Sequence, residues 1–267
     1  MLARYLPEGP YRFSMAFGRG EFGDFWSATD QNSEILQERR CLLASEPAKY
    51  LGVLPEAEAL IAEALELGLK HRTLASGVLS PKTAQQQARL LGENWEPDFL
   101  LLKNEATGPR LVCGCVCFPS SWALEEKMGK SIAEIHGIVP SLNENIGRQI
   151  QTFLEKLKPA ISWQRNNWGL SRSFERNQHP SRNVARLDDS VRLEDVFFRV
   201  EEQSLVALPE SNGILFGIRL KIVSLAGYEG TDEGLQLARA LETMPEPMAV
   251  YKGIEGARTC LIRLLKG

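Results

Sequence analysis

The chain has 267 residues, 43% of them hydrophobic and 24% charged, with a formal net charge of −3. This is the composition of a globular protein. The slight acidic excess argues against a general nucleic-acid binder, and no apolar run approaches the ~20 residues that a membrane-spanning helix needs.

The N-terminal stretch MLARYLPEGPYRF lacks the apolar segment of a signal peptide, so none is expected. Cys41, Cys113, Cys115, Cys117 and Cys260 are odd in number and scattered, unlike a disulfide framework. Cys113, Cys115 and Cys117 fall on one face at strand period and lack the C-x-x-C spacing of a zinc or iron–sulfur site. They read as small core residues in a reduced, cytoplasmic protein.

In chain order, residues 1–30 are rich in glycine and aromatics, including Tyr11, Phe13, Phe17, Phe22, Phe25 and Trp26. The pattern predicts an irregular arm laid over a core. Three helices are predicted next: Ser33 to about Ala44, Pro55 to about His71, and one started by Ser80-Pro81 and ended by Gly92. From Trp95 the period changes. Asp98–Lys103 and Arg110–Phe118, joined by a turn containing Gly108, predict a hairpin.

The stretch 127–157 then carries two S-x-x-E signatures, Ser131 with Glu134 and Ser141 with Glu144. The first predicts a short helix stopped by Gly137. The second opens a longer helix with Leu142, Ile146, Ile150, Phe153, Leu154 and Leu157 on one face. His136 lies four residues after Ile132, on the apolar side of the short helix. It is either a satisfied core histidine or a metal ligand. One histidine makes no zinc site, but a haem needs only one protein ligand.

Residues 163–170 (WQRNNWGL) are dense in polar groups, and 171–186 read as an exposed loop holding His179. Leu193–Leu208 and Ile214–Leu225 predict a long hairpin about the turn Pro209–Gly213. Arg199, Glu201 and Gln203 share one strand face, and the pairing is expected to bring Arg219 beside them. Such a row is either a wetted sheet face or the polar wall of a pocket. Helices over Thr231–Thr243 and Glu255–Leu265 close the chain. Helices interleaved with hairpins predict an α+β fold with an antiparallel sheet, as one domain over 1–267. Phosphate-loop, dinucleotide, nucleophile-elbow and zinc-protease motifs are absent from the sequence.

Six stretches in this order resemble one family: WEPDFLLLK at 95–103, FPSSW at 118–122, KMGKSIAEIHGIVP at 127–140, QRNNWGL at 164–170, FFRVEEQSLVALPESNGILFGIRL at 197–220 and YKGI at 251–254. Together they resemble the α-subunit family of haem-dependent oxidative N-demethylases. The resemblance implies a PAS-like fold with helices packed around an antiparallel sheet and a helical N-terminal extension. It implies haem b, with His136 as the iron ligand. It also implies oxygen-dependent oxidation of a small secondary amine such as dimethylamine, with release of formaldehyde. Electrons would come from separate flavin and iron–sulfur components, while the charge and hydropathy give no expectation of a nucleic-acid or membrane partner.

Carried onto these residues, the resemblance makes Glu201 and Arg219 catalytic candidates. Arg165, Asn166, Trp168, Arg199 and Gln203 become candidates for contact with the cofactor. The chain departs from the family's R-V-E-R-Q pattern by placing Glu202 at the second arginine. That departure and the missing redox motifs motivate a second reading, a PAS-like haem or small-ligand module without turnover.

Overall fold

The computed structural model describes residues 1–12, 16–27, 29–74 and 82–267. Among these, seven strands form one antiparallel sheet: β1 (Gly18–Gly20), β2 (Leu51–Val53), β3 (Asp98–Lys103), β4 (Arg110–Cys115), β5 (Ser162–Ser171), β6 (Phe197–Leu208) and β7 (Gly213–Ser224). Their order across the sheet is β1-β5-β6-β7-β3-β4-β2. Ten α-helices accompany them: α1 (Phe22–Phe25), α2 (Glu34–Ser45), α3 (Pro47–Tyr50), α4 (Glu58–Lys70), α5 (Ala84–Asn94), α6 (Ile132–His136), α7 (Leu142–Glu155), α8 (Asp232–Thr243), α9 (Glu246–Tyr251) and α10 (Arg258–Lys266). The fold is therefore α+β with an antiparallel sheet, as the sequence predicts. No helix among the described residues is long and apolar enough to cross a membrane.

Period-two alternation divides the side chains of each strand between two sheet faces. On one face, Phe99, Leu101, Cys113, Cys115 and Leu215 pack with the N-terminal helices in one core. On the same face, Trp168, Phe198 and Val200 pack with the C-terminal helices in a second. The aromatic arm lies over the first of these cores. Trp26 is fully buried, and a Cβ added at Gly217 would stand 2.5 Å from its ring, so only glycine lets the arm approach β7 this closely. Phe13 of that arm lies outside the described residues.

The other face is covered differently. Leu100, Leu102, Leu205 and Ile214 meet α7 through Leu154. Of all residues in α6 and α7, Leu154 alone is buried. The apolar residues of these two helices, Ile132, Ile135, Ile150 and Phe153, pack against this core but are only partly buried.

Local signals are met at most boundaries. Ser131 and Glu134 make the expected reciprocal cap of α6, with Ser131 N donating to Glu134 at 2.8 Å. Thr231 caps α8. Helix α5 begins at Ala84 under a reciprocal cap from Thr83 and Gln86, and the Ser80-Pro81 start expected for it lies outside the described residues. Ser141 precedes α7 with φ +55° and makes no side-chain cap, so the second S-x-x-E is not a capping box. A left-handed backbone there directs the hydroxyl away from the first-turn amides. Strand β5 occupies the stretch dense in polar groups, to which the sequence assigned no element, and α9 was not anticipated. His179 is buried rather than exposed. Its ring nitrogens meet Glu125 Oε1 at 3.0 Å and Ser181 Oγ at 2.9 Å.

One buried ion pair ties α2 to the sheet. Arg39 Nη1 donates to Asp98 Oδ1 at 2.6 Å, and Nε donates to Gly92 O at 2.8 Å. The Asp98 carboxylate also accepts from the amides of Cys117 and Phe118 at 2.8 and 3.0 Å. Removing one partner leaves the other charge buried and uncompensated. Asp98→Ala is expected to lower unfolding free energy by about 3–5 kcal/mol. The combined Arg39→Met, Asp98→Leu variant should recover much of that loss in denaturant titrations.

Candidate haem pocket

The site is built on the open face of the sheet. In the β6–β7 pair, Leu208 opposes Gly213, so four residues form the turn. Directly opposed residues of an antiparallel pair point to the same side. Gln203 opposes Ile218 and Leu205 opposes Phe216, whereas Arg219 opposes Glu202. The polar row Arg199, Glu201 and Gln203 therefore shares its face with Ile218 and Phe216, not with Arg219. In β5, Arg165 opposes Gln203 and Asn167 opposes Glu201, which adds both to the same face.

His136 ends α6 above this wall. It borders a cavity of ≈ 320 Å³ shared with Arg199, Glu201, Gln203, Ile218 and Lys252. It also borders one of ≈ 570 Å³ that reaches Tyr5, Tyr11 and Arg165 under the N-terminal arm. The two cavities have Val139, Asn167, Phe216 and Tyr251 in common, so they adjoin. Each lies within the ~300–1,000 Å³ range of small-molecule and cofactor sites.

Burial, reinforced by the positive charge of Arg165, pushes the His136 imidazole down to about 4 from 6.5. It is neutral at pH 7, the form that binds a metal. Among the described residues neither ring nitrogen has a hydrogen-bond partner, so nothing fixes the ring in place of a ligand. Arg165 is lowered by burial too, with Glu201 and Tyr11 opposing the shift. Among the described residues its guanidinium donates no hydrogen bond, and Nε is buried without a partner. Its guanidinium lies over the Phe17 ring, 5.7 Å from the ring centroid.

Glu201 Oε2 accepts from Asn167 Nδ2 and from Gln203 Nε2, each at 3.2 Å. Arg199 is turned to the loop instead. It donates to Glu175 O at 2.8 Å and Arg176 O at 3.0 Å, and burial brings it down to about 10. Lys252 follows α9 and sends its ammonium to Trp168 O at 2.6 Å. Burial takes it down to about 8, against the pull of Glu201. Tyr11 is raised to about 12, first by burial and then by Tyr251, and Tyr251 is raised by burial and Glu201.

Of the predicted site residues, His136, Arg165, Arg199, Glu201 and Gln203 are brought together. Trp168 borders the cavities at the open edge of β5 but stacks its ring on Phe198 on the far face, 5.5 Å between centroids. Asn166 alternates to that far face and is exposed; it borders the arm-side cavity and a far-face one with Glu202 and Arg219, but not the cavity of Glu201. Arg219 is outside the pocket. It donates to Phe25 O and stands 3.8 Å from Glu96. Glu202 also lies on the far face, where Arg4, Tyr5 and Lys221 donate to it at 2.8, 2.9 and 2.8 Å. The charge difference at this position therefore does not enter the cavity. Asn167, Tyr251 and Lys252 were not anticipated as site residues. Recognising 162–171 as a strand would have placed Asn167 by parity, and Tyr251 and Lys252 stand in the YKGI stretch already noted.

A chamber with apolar and charged walls, set between a sheet and two half-buried helices and bordered by His136, defines an α+β protein with an internal cavity. The model of the haem-dependent oxidative N-demethylase, alpha subunit-like family matches residues 70–262. That match spans well over half of the chain, and the protein belongs to this family.

The residues present fit a haem. Val139, Phe216 and Ile218 offer apolar contact to a porphyrin, His136 offers a neutral imidazole, and Arg165 offers an unspent cation for a propionate.

The low His136 value carries a linkage sign. Between pH 6.5 and 4 the unfolded chain takes up a proton that the folded protein does not, so stability falls as pH falls through that window. Haem-free wild type should lose unfolding free energy there in denaturant titrations. His136→Gln should show a flatter profile over the same range.

Proposed function

We propose that this protein is the haem b-binding subunit of an oxygen-dependent N-demethylase acting on a small secondary amine such as dimethylamine. His136 holds the iron through a ring nitrogen, and Arg165 pairs with a propionate. The haem, when bound, supplies the activation of oxygen. Overall, the amine, O2, two electrons and two protons give the demethylated amine, formaldehyde and water. The electrons come from separate flavin and iron–sulfur proteins in the cytoplasm, which suits a family described as alpha subunit-like. The antiparallel sheet with its lateral chamber suits the PAS-like type.

The chain's own groups divide the remaining work. Glu201 presents a carboxylate to a cationic amine inside a chamber whose other charged walls are positive. Gln203 and Asn167 hold that carboxylate, and Arg199 keeps the 175–176 loop against the sheet. Arg219 and Asn166 take no part in this reading, because the strand register turns them to the other face.

The observation that carries the proposal is the shared chamber of His136 and Glu201, one a free neutral ligand and the other a fixed anion. The acidic Glu202 favoured a module without turnover, but it is ion-paired on the far face and so gives that alternative no support.

Haem-loaded protein supplied with dimethylamine, oxygen and a chemical or protein reductant should release formaldehyde in step with amine loss. Glu201→Gln should lower kcat/KM by roughly tenfold or more through the lost charge-assisted contact. Haem retention with no formaldehyde from any small N-methylamine would leave only a binding module.

A further inference from the structure

Resting on the amine reading above, we propose that Lys252 and Asn167 form a positioning chain. It turns the Glu201 carboxylate so that Oε1 alone meets the substrate, which restricts the site to ammonium ions carrying an N–H.

The chain is visible atom by atom. Lys252 Nζ is anchored by Trp168 O at 2.6 Å and reaches Asn167 Oδ1 at 3.4 Å. Asn167 Nδ2 donates to Glu201 Oε2 at 3.2 Å. An ammonium can only donate and a carboxylate can only accept, so a lysine on one side and a glutamate on the other permit one amide orientation. Gln203 Nε2 reaches the same oxygen at 3.2 Å. Both donors therefore converge on Oε2, and among the described residues Oε1 receives none.

Glu201 borders the chamber, and a carboxylate oxygen left there without a donor costs free energy until something supplies one. A protonated secondary or tertiary amine supplies an N–H, and a quaternary ammonium does not. The carboxylate cannot swing freely to greet either, because β6 carries Gln203 beside it and β5 carries Asn167 across from it. Lys252 thus acts through Asn167 and not on the ligand.

The test uses haem-loaded protein, with dimethylammonium and tetramethylammonium as probes in titration calorimetry. Infrared difference spectra against Glu201→Gln isolate the carboxylate stretch of that residue. Wild type should bind dimethylammonium at least roughly tenfold more tightly than tetramethylammonium, the worth of one charge-assisted hydrogen bond. Lys252→Met should weaken dimethylammonium binding by roughly tenfold, shift the Glu201 stretch and leave tetramethylammonium unchanged. Lys252→Arg should restore part of both effects. Asn167→Val cuts the chain at its middle and should reproduce Lys252→Met if that variant folds poorly.

Wild-type binding and an unmoved carboxylate band in both Lys252→Met and Asn167→Val would overturn the proposal. A Glu201→Gln protein that still binds dimethylammonium normally would instead sink the amine reading. Even then, a shifted Glu201 stretch in the Lys252 and Asn167 variants would still uphold the positioning chain.

Discussion

The placement of Arg199, Glu201 and Gln203 in this chamber depends on one register. Leu208 opposes Gly213 across a four-residue turn, and from there the pairing runs to Phe197 opposite Ser224. Side chains alternate with period two, so a slip of a single residue would exchange the two faces of β6. Glu201 and Gln203 would then point at the far-face seam where Arg219 and Lys221 lie, and Glu202 would enter the chamber. The hydrophobic pattern protects against this slip. Phe198 and Val200 belong to the core under the C-terminal helices, and Leu205 belongs to the opposite face with Ile214. The site and the core are fixed by the same pairing.

The second feature is incomplete closure. Helices α6 and α7 have well-formed apolar stripes, yet Ile135, Ile150 and Phe153 are only half-buried. On the other face of the sheet the equivalent helices fully bury Leu60 and Ile61 of α4 and Leu237 and Leu241 of α8. Apolar surface left facing an interior space is stabilised when a large apolar ligand fills it. Haem would thus contribute to the packing on this side as well as to chemistry. The N-terminal arm completes the enclosure. Arg4 and Tyr5 are bonded to Glu202, and the Leu6 and Pro7 carbonyls are close to Gln236. The acidic residue that departs from the family pattern is an anchor for the arm.

Much of this was legible in the sequence, for identifiable reasons. The Ser131–Glu134 cap and the Ile132–His136 spacing place the histidine correctly, since both are local effects of helix geometry. The long hairpin follows from alternation about a strong turn. The pairing parity does not, because it depends on how many residues the turn consumes, and this is why Arg219 was expected beside Glu201. Strand β5 was hidden because its cavity-facing residues, Arg165 and Asn167, are polar, as are Gln164 and Asn166 between them. A strand that is polar on both sides looks like a loop. The burial of His179 was missed because its partners, Glu125 and Tyr50, come from distant parts of the chain. Lys252 reaches β5 from the end of a six-residue helix that has no side-chain cap.

The central claim is that the His136 imidazole is the iron ligand. Absorption spectra of protein titrated with haem, wild type beside His136→Ala, address it most directly. Wild type should give a sharp Soret band saturating at one haem per chain. His136→Ala should lose or shift that band and regain it when free imidazole is added to fill the vacated position. An unchanged Soret band in His136→Ala would place the iron on another residue and contradict the account.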